Sequence, residues 1–222
     1  MTSALVGDLM HQGLNAISIS IDDFYLTRTE QVAFAKCYSQ NRLLQQRGYP
    51  GTHDIALGLK TLESFRASER TKIPVYEKSL HNGRGDRLPE TEWRVATSPV
   101  DVIFLEGWML GFTPVNDDIL PDANFRQINQ FLNSYLAWYS FFDHWIFLVP
   151  SQVEDIIEWR IEAEEKMKDQ GKPGLSREEA TAYIELFIPA YKIYLPNLIK
   201  NPPQRDLEKS IRLTLQKNRL PV

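Results

Sequence analysis

The sequence predicts an α/β fold built on a parallel sheet. Strand-like segments lie at residues 16–21, 100–105 and 144–149, and the last two are largely apolar, as in sheets that are covered on both faces. A weaker strand candidate lies at residues 210–215, and segments with helical signals separate the first three strands. Strands that alternate with helices favour βαβ units, whose strands run parallel.

Helix start signals support this alternation. A hydroxyl residue followed three positions later by glutamate predicts a capping box, in which each side chain bonds the other residue's backbone N–H. Pro189 is expected to kink or end the helix that begins at Ser176, because proline cannot donate the backbone hydrogen bond. The capping-box pairs are Thr27 with Glu30, Ser151 with Glu154, and Ser176 with Glu179.

Two further helices are predicted from apolar side chains that repeat at three- and four-residue spacing. Such spacing places one apolar stripe against a core and leaves the opposite face to solvent. The first helix is opened by Asp54 and carries Ile55, Leu59, Leu62 and Phe65, and the second carries Ile128, Phe131, Leu132, Tyr135 and Trp138.

The composition excludes several classes of protein. The 222 residues are 43% hydrophobic and 24% charged, which predicts one globular domain over residues 1–222. The net charge of −4 disfavours nucleic-acid binding. A lone Cys37 and four scattered histidines exclude a disulfide scaffold and a Cys/His zinc site. No apolar run approaches the roughly 20 residues that cross a bilayer, and no signal-peptide pattern is present, so a cytoplasmic protein without membrane contact is expected.

Acidic side chains follow two of the predicted strands. Asp22 and Asp23 come directly after the first strand, and Glu106 with Gly107 follows the second in a pattern similar to a Walker B element. Ligands of open α/β sheets bind at the carboxyl ends of strands, where carboxylates can hold Mg²⁺ or serve as a general base. A turn cap is the alternative for either aspartate, and an ordinary polar strand end is the alternative for Glu106.

Two irregular segments, residues 47–54 and 74–92, add candidates for anion binding. Their glycines permit tight turns, and their cations can bind carboxylate or phosphate. A solvated surface charge is the alternative for each cation, and a plain helix N-cap is the alternative for Asp54. The cations of the second segment are Lys78, Arg84 and Arg87.

A mixed-charge helix within residues 151–175 also has two interpretations. The ordinary one is a solvated helix face. The alternative is a mobile lid that brings Arg160, and with it Lys168, over a phosphate.

Six segments in order resemble the plant and cyanobacterial type of D-glycerate 3-kinase, a P-loop kinase family related to phosphoribulokinase, uridine kinase and bacterial pantothenate kinase. The resemblance runs from about Leu5 to the C-terminus. The segments are ISIDDFYLT (19–27), RGYPGTHD (47–54), PVYEKS with GRGDR (74–87), VIFLEGWMLGF (102–112), WRIEAE (159–164) and IPAYKIYLP (188–196).

The resemblance implies a three-layer αβα fold of the P-loop NTPase type and a reaction in which ATP and D-glycerate give ADP and 3-phosphoglycerate. Asp22 would be the catalytic carboxylate that orients or deprotonates the attacking hydroxyl. Glu106, with Asp22, would lie near Mg²⁺, and Arg160 and Lys168 would belong to the lid. The acceptor-pocket residues would be Arg47, His53, Asp54, Tyr76, Lys78, Arg84 and Arg87.

One part that the family requires does not occur in the 222 residues. The phosphate-binding motif G-x-x-x-x-G-K-[ST] is absent, and the single Gly-Lys pair, Gly171-Lys172, precedes a proline. In the family the motif precedes the helix that leads to strand 16–21, and its strand lies at the centre of the sheet. The expectation is therefore a sheet without its P-loop strand and a chain that binds ATP poorly. A truncated product or a late start codon is favoured over a repaired sheet.

Two other functions stay open at this point. One is a kinase of another acceptor, such as a nucleoside, pantothenate or a sugar phosphate, although the GRGDR and EGWMLGF segments favour glycerate. The other is a non-catalytic remnant that persists as a binding module, which the absent motif favours and the retained Asp22 and Glu106 oppose. The oligomeric state is not predicted.

Overall fold

The computed structural model describes residues 2–97, 99–171, 174–203 and 210–221. Their strands are β1 Ala16–Ser20, β2 Thr71–Ile73, β3 Tyr76–Glu77, β4 Asp86–Arg87, β5 Arg94–Ala96, β6 Val102–Glu106, β7 Trp145–Pro150 and β8 Ser210–Leu215. Their helices are α1 Thr2–His11, α2 Arg28–Cys37, α3 Ile55–Arg66, α4 Leu80–Gly83 (a single turn), α5 Ala123–Tyr139, α6 Asp155–Asp169, α7 Arg177–Glu185 and α8 Ile188–Lys200. Short 3₁₀ turns occur at Ile21–Phe24, Arg42–Leu44, Glu90–Glu92 and Asp117–Ile119.

The chain divides into two compact units. The first contains the residues up to Leu110 together with Leu120–Phe141, and the second contains Gly111–Ile119 together with the residues from Phe142 onward. The single domain expected from the sequence stays a prediction.

The first unit contains a parallel strand pair. β1 and β6 are paired from Ala16 opposite Val102 to Ser20 opposite Glu106. Ala16 and Ile19 are buried and lie on opposite faces of β1, so both faces of this strand are covered in part. The expected strands at 16–21 and 100–105 are therefore confirmed as parallel neighbours, within one or two residues at their ends.

Helices α3 and α5 build the core of the first unit. The apolar face expected for α5 is buried at Ile128, Leu132, Tyr135 and Trp138. Gly58 in α3 makes room for this face, because an added Cβ would lie 2.0 Å from the Trp138 ring. The Trp138 indole N–H donates to the carbonyl oxygen of the α3 residue Ile55, which satisfies the polar atom of this buried ring.

Residues 71–96 form two antiparallel pairs instead of a fully irregular loop. β2 pairs with β5, and β3 pairs with β4 between Tyr76 and Arg87. His81 and Asn82, both with positive φ, turn the chain between β3 and β4. Strands of two or three residues are too short for an alternating hydrophobic pattern, which explains why the sequence did not reveal them.

The second unit contains the other parallel pair. β7 and β8 are in register from Trp145 opposite Ser210 to Pro150 opposite Leu215, which confirms the predicted strands 144–149 and 210–215. Helices α6, α7 and α8 contribute buried residues such as Ile161, Ile184 and Tyr194, and β7 contributes Val149.

Two of the three predicted capping boxes are confirmed. Thr27 with Glu30 and Ser176 with Glu179 make both reciprocal bonds. The pair at Ser151 is wrong, because α6 begins at Asp155 and Glu154 precedes it without a side-chain cap. The Ser151 N–H instead donates to Leu215 O at 2.8 Å and extends the β7–β8 pairing by one bond.

Pro189 acts as expected, since the helix begun after Ser176 ends at Glu185 and Pro189 lies in the first turn of the next helix. Among the helices described, none is long and apolar enough to cross a membrane.

Candidate active site

The acidic turn after β1 is fixed by its own hydrogen bonds. The Ser20 hydroxyl accepts from the Asp22 N–H, and Asp23 accepts from the Ser20 N–H. Ile21 and Phe24 are buried, so the core anchors this 3₁₀ turn while its two carboxylates are less buried. The sequence placed these aspartates correctly at the strand end but did not predict the capping box that holds them.

Gly107 lets the end of β6 approach this turn. A Cβ on Gly107 would lie 2.2 Å from Cγ2 of Ile21, closer than two carbon atoms can approach. The register places Ser20 beside Glu106, so the two acidic segments meet at the same edge of the strand pair. Close packing against Ile21 therefore explains why a glycine follows the strand-end acid Glu106.

Asp22 is held in its ionised form. Its Oδ2 atom lies 2.6 Å from Nζ of Lys78, which comes from the segment after β3. Burial opposes ionisation, but the Lys78 ammonium and a hydrogen bond from the Tyr25 hydroxyl outweigh it and hold the pKa of Asp22 below its ordinary value. The Asp22 side chain is 24% exposed and that of Lys78 is 59% exposed, so this pair lies where a ligand can reach it.

Asp23 instead makes an ion pair and hydrogen bonds to other residues of the protein. It accepts from Arg94 at 3.1 Å, from the Tyr76 N–H at 3.3 Å and from the Ser20 N–H. Burial outweighs these bonds and raises the pKa of Asp23. Asp23 thus ties β1 to the strands β3 and β5, and the two adjacent carboxylates have different surroundings.

The segment 47–54 is joined to this turn by backbone hydrogen bonds. Leu26 N–H donates to Thr52 O at 3.0 Å, and Asp54 N–H donates to Phe24 O at 2.7 Å. The pairing brings His53 onto Tyr25, with stacked rings whose centroids lie 4.4 Å apart. His53 is buried, with 4% of its surface exposed.

Two predicted pocket residues, Asp54 and Arg87, are engaged in contacts within the first unit. Asp54 caps α3 through the Leu57 N–H and also pairs with Arg87 at 3.2 Å. Arg87 further donates to the Tyr25 carbonyl oxygen and lies 3.6 Å from Glu30, and its side chain is 11% exposed. These contacts hold the β3–β4 strand pair against the turn after β1, so the N-cap interpretation of Asp54 describes part of its role.

Arg47 is likewise bound to the chain itself. Its guanidinium donates to the carbonyl oxygens of Gly83 and Arg84 and lies over the Tyr76 ring, 5.5 Å from the centroid. The Tyr76 hydroxyl also donates to Arg84 O at 3.3 Å. Arg47 and Tyr76 together fix the turn between β3 and β4.

Among the described arginines close in sequence to these site segments, Arg84 and Arg28 remain available for a ligand. Arg84 is exposed, and its guanidinium has no ion pair or hydrogen bond within the described part of the chain. Arg28 is half-buried and unpaired through its guanidinium in the same residues, while its N–H donates to Asp86 at 2.8 Å. The sequence reasoning missed Arg28, although it directly follows the ISIDDFYLT segment. Tyr25 and Tyr135 were missed as polar groups because both fit an apolar pattern.

The carboxylates that were expected to hold a metal ion are Glu106 and Asp22. Glu106 is exposed and has no ion pair with any described residue. No cluster of three potential metal-binding side chains occurs in the described ranges. Mg²⁺ commonly takes one or two carboxylates and completes its shell with waters and substrate phosphates, so the donor chemistry of these two residues fits that ion.

Arg160 and Lys168, the candidate lid residues, belong to α6 in the second unit. Arg160 pairs with Glu164 one turn along the helix and lies over the Tyr183 ring at 5.2 Å. Glu164 is buried and also accepts from the Leu175 N–H at 2.8 Å. Lys168 is exposed, and Lys172 lies outside the described residues.

Comparison with known proteins supports one family, although no family model matches the chain. The chain is 35% identical to the chloroplastic D-glycerate 3-kinase of Arabidopsis thaliana over 213 residues, which cover 92% of this chain and 47% of the relative. It therefore spans about half the length of that relative.

Solved structures agree. D-Glycerate 3-kinase from Cryptococcus neoformans superposes with a TM-score of 0.89 at 30% identity, over 99% of this chain and 83% of that one. Phosphoribulokinase from Rhodobacter spheroides, at 14% identity and a TM-score of 0.53 over 97% and 66% of the two chains, shares the fold.

These likenesses and the parallel strand pairs confirm the expected α/β fold of the P-loop kinase type. The chain belongs to the D-glycerate 3-kinase family of P-loop kinases.

Proposed function

We propose that this chain supplies the acceptor site and the catalytic carboxylate of an ATP-dependent kinase that converts D-glycerate to 3-phosphoglycerate. The observation that carries the proposal is the ionised Asp22, paired with Lys78 at 2.6 Å at the carboxyl end of β1. The names of the relatives, D-glycerate 3-kinase in both cases, support this acceptor.

Asp22 orients the attacking hydroxyl. A carboxylate whose pKa is lowered is a weak base, so it accepts a hydrogen bond from the hydroxyl and takes its proton only as the new bond to phosphorus forms. Phosphoryl transfer depends mainly on positioning and on charge neutralisation, which suits a group of this strength. The Lys78 ammonium partly neutralises the negative charge of Asp22 beside the attacking hydroxyl.

The acceptor carboxylate binds to Arg28 and Arg84. Both guanidinium groups are free of partners in the described residues, whereas Arg47 and Arg87 are engaged by the chain. A guanidinium can donate two parallel hydrogen bonds to one carboxylate, which fits a hydroxy acid better than an uncharged acceptor. Arg47, Arg87, Asp54 and Tyr76 shape the pocket indirectly by holding its walls.

Glu106 and Asp22 would hold Mg²⁺ together with the phosphates of ATP. The ion supplies neutralisation of charge on the transferred phosphoryl group. Because Asp22 already has the Lys78 ammonium beside it, Glu106 is the first carboxylate available to the ion. Of the two candidate lid residues, Arg160 is bound to the buried Glu164, so the exposed Lys168 is proposed as the one that is free to bind a phosphate.

The G-x-x-x-x-G-K-[ST] motif does not occur in these 222 residues, so we propose that a polypeptide of this sequence alone binds ATP weakly. A cytoplasmic location also stays a prediction, since the Arabidopsis relative is named chloroplastic.

A binding module without catalysis is the second candidate, and the absent motif is the observation that favours it. The two candidates differ in what they require of Asp22, because a binding module needs no ionised carboxylate at an attacking hydroxyl. Phosphoryl transfer therefore distinguishes them.

The decisive experiment measures acceptor binding and phosphoryl transfer separately. Calorimetry on the 222-residue protein tests D-glycerate against a nucleoside, pantothenate and a sugar phosphate. ATP consumption is then followed with the same acceptors in a protein in which a strand and the phosphate-binding motif precede residue 1. Preference for D-glycerate in both assays is expected. Preference for another acceptor would refute the assigned substrate, and binding without turnover would favour the binding module.

A further inference from the structure

A buried hydrogen-bond relay lies beneath the catalytic turn. The Gly51 N–H donates to the Tyr135 hydroxyl at 3.1 Å, and that hydroxyl lies 2.7 Å from Nδ1 of His53. Tyr135 is fully buried in α5, and His53 is nearly so. The relay therefore links the backbone of the 47–54 segment to an imidazole that stacks on Tyr25.

The relay determines which nitrogen of His53 carries the proton. The Tyr135 oxygen accepts the Gly51 N–H, and the hydroxyl lies within hydrogen-bond distance of Nδ1 of His53. The hydroxyl proton is satisfied when it is donated to Nδ1, which is then an acceptor. A neutral imidazole that accepts at Nδ1 carries its proton on Nε2.

An imidazole that accepts a hydrogen bond at Nδ1 is neutral, and burial of His53 favours the same state. Burial lowers the pKa of His53 to about 4, against the opposing effect of the nearby Asp22 carboxylate. A protonated histidine here would add a second cation beside Asp22, which already faces Lys78. The neutral form leaves the charge of Asp22 undiminished and still offers one N–H donor.

Among the residues that the structure describes, that donor has no hydrogen-bond partner. The Nε2 atom of His53 is buried and makes no hydrogen bond to any described residue. Buried polar groups are nearly always hydrogen-bonded, so an unpaired donor next to a catalytic carboxylate indicates a partner that arrives with the substrate. His53 stacks on the ring of Tyr25, whose hydroxyl donates to Asp22, so one side chain links the imidazole to that carboxylate.

We propose that Tyr135 is a positioning residue that fixes His53 in its Nε2–H form, so that His53 donates a hydrogen bond to an oxygen of the hydroxy acid bound beside Asp22. The inference rests on the proposed function for the identity of the acceptor. Tyr135 acts by fixing the tautomer of His53 and does not contact the ligand. His53 donates one hydrogen bond to the ligand.

The first test observes the tautomer directly and needs no substrate. Long-range ¹H–¹⁵N correlation spectra at pH 7 distinguish Nδ1–H from Nε2–H imidazoles, and the His53→Gln variant identifies the signals of His53 among the four histidines. An Nε2–H form is expected in the wild type, and a mixture of tautomers is expected in Tyr135→Phe. A wild-type Nδ1–H or protonated ring, or an unchanged tautomer in Tyr135→Phe, would overturn the proposal.

The second test measures D-glycerate affinity by calorimetry. Tyr135→Phe is expected to weaken binding about tenfold, because the unfixed imidazole spends part of its time without a proton on Nε2. In the His53→Gln background, where an amide donor replaces Nε2–H and has no tautomer, the same substitution should change affinity less than twofold. An equal loss in both backgrounds would show that Tyr135 acts through packing and would contradict the proposal.

Tyr194→Phe is the matched control. Tyr194 is another fully buried tyrosine of the chain, its hydroxyl has no hydrogen-bond partner among the described residues, and it belongs to the second unit. Its substitution should leave D-glycerate affinity within twofold of the wild type. If the wild type binds no hydroxy acid although His53 has the Nε2–H form, the proposed function fails while the role of Tyr135 in fixing the tautomer stands.

Discussion

One carboxylate–cation pair at the turn after β1, Asp22 with Lys78, and one within helix α6, Glu164 with Arg160, are built differently. Asp22 and Lys78 are 56 positions apart in sequence, and both side chains reach solvent. Glu164 and Arg160 lie four residues apart on one helix, and Glu164 is only 4% exposed. Glu164 also accepts a backbone N–H from Leu175, whereas Asp22 has the Tyr25 hydroxyl as its further donor.

The difference shows how burial decides what a charge pair can do. An exposed pair gains little stability because water screens it, so its members can exchange partners with a ligand at low cost. A carboxylate that is buried and bonded to the backbone cannot lose its partner without leaving a charge unsatisfied. We therefore assign exchange with substrate to Asp22 and Lys78, and a structural role to Glu164.

The largest expected effect is on catalysis at the turn. Asp22→Asn should lower kcat by about 10²–10⁴, the range for losing a group that handles the transferred proton, with little change in thermal stability. Asp23→Asn is the neighbouring comparison, and it should change kcat far less than Asp22→Asn does, because Asp23 is bonded within the fold to Arg94 and the Tyr76 N–H. Steady-state kinetics of both variants, in the protein in which a strand and the phosphate-binding motif precede residue 1, and thermal unfolding provide the measurement.

The opposite result would contradict the roles assigned to Asp22 and Asp23. If Asp22→Asn kept its turnover while Asp23→Asn lost it, the acidic turn would have been assigned the wrong way round. Both variants replace one carboxylate with a neutral amide of the same shape, so neither creates a cavity.

The next largest expected effect is a loss of folding stability at acidic pH, caused by the buried His53. Its pKa is about 4 in the folded chain, against 6.5 for the free group. The unfolded chain therefore binds more protons between these values, and stability should fall as pH falls from about 6.5 to 4 by about 2–4 kcal/mol. Above pH 6.5 both states are neutral and this contribution does not change.

Urea unfolding at several pH values checks this expectation. The His53→Gln variant is the control, because it removes the titrating group, and its stability should change less over the same window. Equal slopes for the two proteins would show that His53 is not the group responsible.

The sequence could predict the strand ends because the signal is local. Strands at 16–21 and 100–105, an acid after each, and Gly107 are visible as a pattern of residue types. The periodic strands and capped helices follow from the same kind of information, and β8 was predicted with its bounds unchanged. The capping box at Ser151 failed because a long-range bond to Leu215 competes with it.

The roles of individual arginines could not be predicted in this way. Arg47, Arg84 and Arg87 have the same chemistry in the sequence, and only the folded chain separates the two that bind carbonyl or carboxylate groups of the protein from the one that does not. The His53–Tyr135 relay joins residues 82 positions apart, and Tyr135 is indistinguishable in the sequence from the other residues of an apolar helix face.

A smaller effect is expected at the second charge pair. Glu164→Gln should lower the free energy of unfolding by about 1–3 kcal/mol, between the values for exposed and buried pairs, because the Arg160 side chain is 38% exposed. Glu165→Gln on the same helix is the control, since that side chain is 62% exposed and should have almost no effect. Chemical denaturation measures both, and equal stabilities would contradict the structural role of Glu164.

The smallest effect on stability is expected at the Tyr194 hydroxyl, a buried polar group to which no role is assigned. The Tyr194 hydroxyl is buried without a partner in the described residues, and burial raises the pKa of this tyrosine beyond the range in which it could ionise. Removing an unpaired buried hydroxyl relieves its desolvation cost, so Tyr194→Phe should leave stability unchanged or raise it by up to about 1 kcal/mol. Tyr135→Phe removes a hydroxyl with two partners and should lower stability by about 1–3 kcal/mol. The same denaturation assay compares them, and a larger loss for Tyr194→Phe would mean that the unpaired hydroxyl has a partner after all.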